Sequence, residues 1–179
     1  MNPGSAQMSG NEPLVPPLAD RVSRPDVSTL VPLFTAAVRF VSDAPDAAVV
    51  GPDGRAGEYL GDGDGTATGE RLRGHLRFSF YSGNCLVPRI RRGEAVPDRL
   101  HLCTINPGGY IDADDGARIA FDGNGFGLRS SERYRVSMRV AFRTDDARYA
   151  WLNTLLGVMD GEFDETTGRA AWRVYVPSQ

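Results

Sequence analysis

The chain contains no lysine, because all 20 of its basic residues are arginine. Mechanisms that need a side-chain amine are therefore excluded, including Schiff-base catalysis, a lysine general base and a covalent pyridoxal phosphate site. A genome rich in G and C favours arginine codons and is the simpler explanation of this bias. The chemical exclusion holds whichever explanation is correct.

Cysteine and histidine are also scarce, with two residues of each. Cys85 and Cys103 have no second cysteine pair beside them, which fits neither a disulfide framework nor a zinc cluster, so we expect free thiols. His75 and His101 are too isolated in sequence to suggest a metal triad. We therefore expect neither a metal nor a bound cofactor.

Long hydrophobic runs and a large excess of one charge are absent as well. No apolar segment is long enough to span a bilayer, and the N-terminus lacks a charged-then-apolar signal, so we expect a cytoplasmic protein that does not contact the membrane. The net charge of −3 gives no reason to expect nucleic acid as a partner. A length of 179 residues suits one domain with a sizeable core.

The beginning of the chain differs from the remainder in composition. Residues 1–28 contain five prolines among Gly, Ser and Asn and show little periodicity, which predicts a flexible N-terminal arm. From residue 29 to residue 179, short alternating runs are separated by turn-forming residues. We interpret 29–179 as one domain.

Alternation of apolar and polar residues is the main structural signal in that domain. In the run 73–81, Leu76, Phe78 and Phe80 fall on one side of an extended strand and polar residues fall on the other. Similar runs occupy 33–41, 100–105, 117–121, 135–142 and 170–176. No segment shows twelve residues of clean helical period. Many short strands predict an all-β fold, either an antiparallel barrel or a sandwich.

Glycine-rich and aspartate-rich segments are predicted to separate these strands. Residues 106–109, 114–116 and 122–125 have turn composition. The Asp-Gly repeat at 62–65 lacks the further ligands of a calcium site, and we interpret it as a mobile loop. The glycines at 123–127 lack the context of a phosphate loop and indicate a bulged turn.

The segment 148–153 carries the clearest candidate ligand site. If its backbone is extended, Tyr149, Trp151 and Asn153 point to one face, and an apolar wall with one hydrogen-bonding group suits a small-molecule pocket. The same residues also fit a core edge in which Trp151 packs and Asn153 ties down a loop. The segment can alternatively begin as a helical turn.

Several segments together resemble one bacterial and fungal family, the domain of unknown function three-two-three-seven. They are the strand near 33–40, the run 65–74, the Asp-Asp-Gly turn at 114–119, the Tyr-Ala-Trp-Leu-Asn word at 149–153 and the closing Val-Tyr-Val at 174–176. The resemblance covers roughly 30–177. It implies a single closed, lipocalin-like antiparallel β-barrel, often oligomeric, and implies no settled activity.

In such a barrel the alternating residues separate into an inner and an outer face. The residues predicted to fill the interior are Phe78, Phe80, Met138, Val140, Phe142, Trp172 and Val174. The arginines predicted on the outer face, toward solvent or a partner subunit, are Arg77, Arg139, Arg143 and Arg173. We expect association as a homodimer or a higher homo-oligomer.

His101 and Arg129 are the candidate catalytic residues. His101 is one of two histidines, the residue type whose unperturbed pKa lies near neutrality. A pair with Cys103 on one strand would be too far apart for a nucleophile and its base. Arg129 follows two glycines and could clamp a carboxylate or an enolate. Its alternative role is a salt bridge to Glu132 or a nearby aspartate.

Two function classes remain open from the sequence. The first is a barrel that binds an apolar or aromatic small molecule and carries out a cofactor-independent isomerisation, cyclisation or lyase step through acid/base chemistry. The second is a non-catalytic ligand carrier or a structural oligomer. A pH–rate profile separates the two, because only an enzyme requires a titrating group for turnover.

Overall fold

The computed structural model describes residues 29–40, 46–50, 57–86, 100–130 and 133–178, with the backbone alone at 46–50, 57–59, 84–86, 100–101 and 130. The predicted arm, 1–28, lies outside the described residues. The strands are β1 (Leu30–Phe40), β2 (Asp46–Val50), β3 (Gly57–Thr68), β4 (Gly74–Leu86), β5 (Leu100–Ala113), β6 (Arg118–Ser130), β7 (Arg133–Arg143), β8 (Leu156–Asp164) and β9 (Arg169–Pro177). A 3₁₀-helix, Ala150–Thr154, lies between β7 and β8.

The sheet closes on itself to form an antiparallel barrel of eight strands. Its order is β1-β9-β8-β7-β6-β5-β4-β3, and β1 pairs back onto β3 from Thr35 opposite Thr68 to Phe40 opposite Gly63. β2 pairs only with the first residues of β3, outside this closure. The predicted all-β fold, a single antiparallel barrel, is confirmed. In the described part of the chain, no helix has the length and apolar character needed to cross a membrane.

The two faces of the strands follow the predicted alternation. Of the seven residues predicted inside, six are buried and Phe80 is partly buried against the same core. The predicted outer arginines are exposed. Three of them form ion pairs across neighbouring strands, namely Arg77 with Asp112, Arg143 with Asp122 and Arg173 with Asp160. A period of two gives the correct face for these residues because successive side chains of a strand point to opposite faces. In β1 the alternation is interrupted at a β-bulge, where Leu33 and Phe34 are both buried.

Three of the predicted turns and loops are wrong. Residues 62–65 lie within β3, 106–109 lie within β5, and 122–127 lie within β6. The inward glycines in these strands make room for large side chains: a Cβ at Gly63 would overlap the ring of Phe78, and one at Gly123 would crowd the Met138 sulfur. The predicted turn at 114–116 is confirmed, and Gly116 supplies its positive φ of 89°.

Candidate functional site

The middle of the barrel is filled by side chains. A cavity of about 10 Å³ remains there, which is roughly the space of one water molecule. It is lined by Phe34, Leu76, Pro107, Phe121, Met138, Val140, Phe142, Met159, Trp172 and Val174. A small-molecule ligand does not fit at this depth, which leaves the two ends of the barrel as candidate sites.

One end, here called the capped end, is formed by the connections 69–73, 114–117 and 144–155. Leu72 and Leu152 are almost completely buried there, and Leu152 belongs to the 3₁₀-helix. The Arg71 guanidinium stacks on the outer side of this cap, with its Cζ atom 3.7 Å from the centroid of the Trp151 ring. Aliphatic side chains therefore close this end from within.

The shared-face prediction requires an extended backbone at 149–153, and the structure does not have one there. The segment forms the 3₁₀-helix instead, so Tyr149, Trp151 and Asn153 do not line one face together. The Asn153 Oδ1 atom accepts the Thr144 N–H at 2.9 Å, and its Nδ2 donates to the Thr144 carbonyl at 2.9 Å. Trp151 is partly buried against the core. These contacts match the core-edge alternative.

Charged groups of the capped end interact mainly with one another. The Tyr149 hydroxyl donates to Asp115 at 2.9 Å, and Arg148 forms ion pairs with Asp115 and Asp146. Hydrogen bonds from Arg148 lower the pKa of Asp146 to about 2. Burial, followed by the hydrogen bond with Asp115, raises the pKa of Tyr149. These contacts link the connection 144–155 to the connection 114–117.

A shallow groove of about 480 Å³ lies on the outer surface beside the cap. Its lining consists of Tyr110, Arg118, Ala120, Arg143, Thr144, Asp145 and Asn153. Both of its arginines are already paired, Arg118 with Asp112 and Arg143 with Asp122. Of the three ligand residues predicted from the sequence, only Asn153 reaches this groove, and its amide is bonded to the backbone.

The opposite end, here called the aromatic end, is lined by rings that face the barrel interior. Four of them are only partly buried: Phe40, Phe80, Tyr134 and Phe163. Phe40 lies at the centre, with ring centroids 4.8 Å from Phe80 and 4.5 Å from Phe163, and Tyr134 lies 5.5 Å from Phe163. Such edge-to-face clusters form an apolar surface that retains some solvent access.

Arg129 is the charged residue in this surface. Arg129 lies on the inward face of β6, as Gly125 and Gly127 do. Among the described strand residues that face the barrel interior, it is the one that carries a charge. Its Nη2 donates to Glu165 Oε2 at 2.5 Å, and its Cζ lies 5.5 Å from the Tyr134 ring centroid. The described residues thus include a salt bridge of Arg129 to Glu165 in the β8–β9 turn, and the predicted partner Glu132 lies outside the described residues.

His101 occupies the β5 position directly opposite Arg129 in the strand register. The two candidate catalytic residues are thus brought to the same end of the barrel, away from Tyr149, Trp151 and Asn153. The side chain of His101 lies outside the described part of the structure. Cys103, two positions along β5, is completely buried.

Glu165, Phe40 and Phe163 belong to the aromatic end, and the sequence interpretation did not select them. Phe40 and Phe163 each continue the inward alternation at the end of a strand, which is a recognisable signal. Glu165 lies in a turn and meets Arg129 across 36 positions of sequence. Only the closed sheet reveals that contact.

Metal binding finds no support in the described residues, where no group of three His, Cys, Asp or Glu side chains could hold an ion. The capped end presents a network of bonded polar groups, and the described part of the aromatic end presents aromatic rings with Arg129.

Solved structures share this fold at low sequence identity. A protein of unknown function from Clostridium acetobutylicum has a TM-score of 0.60 and 16% identity over 84% of this chain and 99% of its own. A beta-barrel-like protein from Acinetobacter baumannii has a TM-score of 0.63 and 17% identity over 84% and 96%. A conserved protein of unknown function from Rhodopseudomonas palustris has a TM-score of 0.58 and 17% identity over 83% and 97%. These similarities establish the barrel and carry no activity.

No protein-family model matches the chain, and no curated protein matches it in sequence.

Proposed function

We propose that the protein binds a small apolar or aromatic molecule with an anionic or enolisable oxygen at the aromatic end. The observation that carries this proposal is the inward-facing Arg129 beside Tyr134, which is one of four partly buried rings at this end of a barrel whose middle is filled. Rings supply apolar contact, and a guanidinium supplies several hydrogen bonds to one oxygen or carboxylate. His101 and Arg129 are the residues proposed to act on the ligand.

The proposed chemistry is an acid/base isomerisation, cyclisation or lyase step without a bound cofactor. Arg129 is suited to hold the negative oxygen of an enolate, because a guanidinium that is partly withdrawn from solvent interacts more strongly with charge than one in water. A carrier uses the same contacts without turnover. The resemblance to the domain of unknown function three-two-three-seven supports the barrel in this proposal and does not specify the step.

Naphthoate and naphthylmethanol provide a matched pair of probes that differ in charge at one group. We expect saturable binding of naphthoate to the full chain, measured by calorimetry, and weaker binding of naphthylmethanol. Arg129→Gln should lower naphthoate affinity by roughly tenfold or more, since a hydrogen bond to a charged group contributes about 1.5–3 kcal/mol. It should change naphthylmethanol affinity little.

Arg133→Gln is the control, because Arg133 belongs to the same end of the barrel but is exposed on the outer face. Its naphthoate affinity should stay within about twofold of the original. Equal losses in the two variants, or no saturable binding of either probe, would reject the aromatic end as the ligand site.

A second candidate function, a structural homodimer, is favoured by an uncharged strip on the outer face. Exposed Leu60 of β3 is paired with Tyr81 of β4, and Tyr81 with Asn106 of β5. Asn106 accepts a hydrogen bond from Asn124 of β6, two positions before Phe126, whose surface is 56% exposed. Two copies of the protein can therefore pack these strips against each other without bringing like charges together.

Light scattering at micromolar concentration tests the dimer. We expect twice the mass of one chain, and Phe126→Arg should restore the monomer by placing like charges opposite each other. Arg169→Ala, at an exposed position of β9 away from the strip, should leave the dimer unchanged. A mass of about 19.4 kDa for the original chain would exclude this second candidate.

We propose a cytoplasmic location for either function, in line with the sequence prediction.

A further inference from the structure

We infer that Glu165 is the general base of an enolisation reaction at the aromatic end. The inference rests on the proposed function, since it needs a ligand beside Arg129. Its substrate class is an aryl or otherwise apolar carbonyl compound with an acidic C–H next to the carbonyl group. Glu165 supplies a carboxylate and Arg129 supplies a cation at the same place, which is the pair that such a step requires.

The turn that carries Glu165 is fixed at several points. The Asp164 carboxylate accepts the Thr167 N–H at 3.1 Å, and Gly168 adopts a positive φ of 64°. The Gly168 carbonyl accepts the Phe40 N–H at 2.9 Å, which joins the turn to the central ring of the aromatic cluster. The base is therefore held beside the apolar surface instead of on a loose loop.

Exposure of both groups fits a reacting pair better than a buried structural bridge. The side chain of Arg129 is 31% exposed and that of Glu165 is 44% exposed, so a ligand oxygen can approach either one. The guanidinium has five N–H donors in a planar fork. A ligand oxygen can therefore share Arg129 with Glu165 while the carboxylate faces the neighbouring carbon.

The step balances without any further reactant. The C–H bond next to the carbonyl breaks, and its proton forms an O–H bond with the Glu165 carboxylate. The electron pair of that bond becomes a C=C bond, and the carbonyl π pair moves to oxygen, where Arg129 holds the enolate. The protonated Glu165 then returns the proton to the same carbon or to another carbon of the enolate. Return to a different carbon is an isomerisation.

Deuterium exchange measures this step directly. Phenylacetone is the probe, because its CH₂ group lies between an aromatic ring and a carbonyl group. The full chain in D₂O should accelerate loss of the CH₂ proton signal over buffer. Glu165→Gln should lower the enzyme-dependent rate at least tenfold, and Glu165→Asp should restore part of it.

Binding of naphthoate separates failure of this inference from failure of the proposed function. Glu165→Gln should bind naphthoate at least as tightly as the original chain, because it loses a competing negative charge, whereas Arg129→Gln should lose both binding and exchange. Glu162→Gln is the control, since Glu162 is exposed on the outer face of β8, and it should leave both measurements unchanged.

Three results would overturn the assignment of Glu165. The first is that Glu165→Gln exchanges deuterium at the rate of the original chain. The second is that the original chain binds naphthoate but exchanges deuterium no faster than buffer does. The third is that Glu165→Asp lowers the exchange rate as much as Glu165→Gln does. In each of these cases naphthoate binding by the original chain would leave the proposed function standing. Absence of naphthoate binding would reject both.

Discussion

At the capped end the side chains that meet over the barrel opening are aliphatic and almost completely buried, whereas at the aromatic end they are rings that keep part of their surface exposed. The polar groups differ in the same way. Tyr149 and Asn153 bond to other groups of the cap, while Arg129 and Glu165 bond to each other beside an accessible apolar surface. The first arrangement stabilises the fold, and the second can exchange a partner for a ligand.

The largest expected effect is a loss of stability on shortening the side chain that closes the capped end. Leu152 is completely buried, so Leu152→Ala should lower the free energy of unfolding by about 2–5 kcal/mol through lost transfer energy and a residual cavity. Urea denaturation measures this change. Leu156→Ala, at a position that is 51% exposed, should stay within about 0.5 kcal/mol of the original. Similar losses in the two variants would mean that Leu152 does not close the barrel.

A smaller loss is expected when the hydrogen bonds to Thr144 are removed. Asn153→Ala breaks two bonds to the Thr144 backbone and should cost about 1–2 kcal/mol of stability, since each contributes about 0.5–1.5 kcal/mol and both lie near solvent. Asn153→Asp keeps the acceptor for the Thr144 N–H but places a carboxylate oxygen against the Thr144 carbonyl, so it should not restore the lost stability. Naphthoate affinity should not change in either variant. A tenfold weaker affinity in a fully stable Asn153→Ala chain would instead support the ligand site predicted from the sequence.

The smallest effect is a dependence of the cap on pH. The folded pKa of Asp146 is lowered to about 2 from 3.8 by Arg148, so its contribution to stability is present above the unfolded value and is lost as the pH falls through the folded value. As the pH falls from 3.8 to about 2, the free energy of unfolding should therefore decline less steeply in Asp146→Asn than in the original chain. An unchanged slope in that variant would show that Arg148 does not stabilise the folded cap through Asp146.

Tyr149 should make the same end sensitive to alkali. Its pKa is raised in the folded protein, so its contribution is complete below the unfolded value of 10 and is lost as the pH rises through the folded value. Tyrosinate absorbance of the original chain minus that of Tyr149→Phe should show this titration. Tyr81→Phe, outside the cap, provides the comparison. Titration of Tyr149 at or below the unfolded value would contradict the burial of its hydroxyl.

Strand positions and faces follow from the sequence because alternation is a local property. The run 73–81 identifies Phe78 as an inward residue without any knowledge of its neighbours, and the structure confirms it. The glycines at 62–65 and 122–127 predict turns or loops, but they lie within strands. Glycine is common both in turns and in strands that pass beneath a large ring, so composition alone does not distinguish the two. The register of Gly63 opposite Phe78 distinguishes the two, and register depends on the closed sheet.

The candidate site is less predictable than the fold for a related reason. Tyr149, Trp151 and Asn153 alternate over too few residues to separate a strand from a 3₁₀-helix. In the structure the Asn153 amide bonds to the Thr144 backbone, which matches the core-edge alternative. Arg129 was predicted either to clamp a ligand or to form a salt bridge to Glu132 or a nearby aspartate, whereas the partner in the structure, Glu165, lies on another hairpin. Contacts between hairpins depend on strand order, which a single sequence does not specify.

The glycines beneath the aromatic rings imply a rule for the evolution of this barrel. Because the space above Gly63 is filled by Phe78, and the space above Gly61 by Phe80, neither position in β3 can gain a side chain unless its partner in β4 becomes smaller. Related sequences should therefore exchange bulk between the two strands in pairs, with the combined volume of each pair nearly constant. In a library of random variants, compensated double substitutions at 63 and 78 should survive more often than either single change.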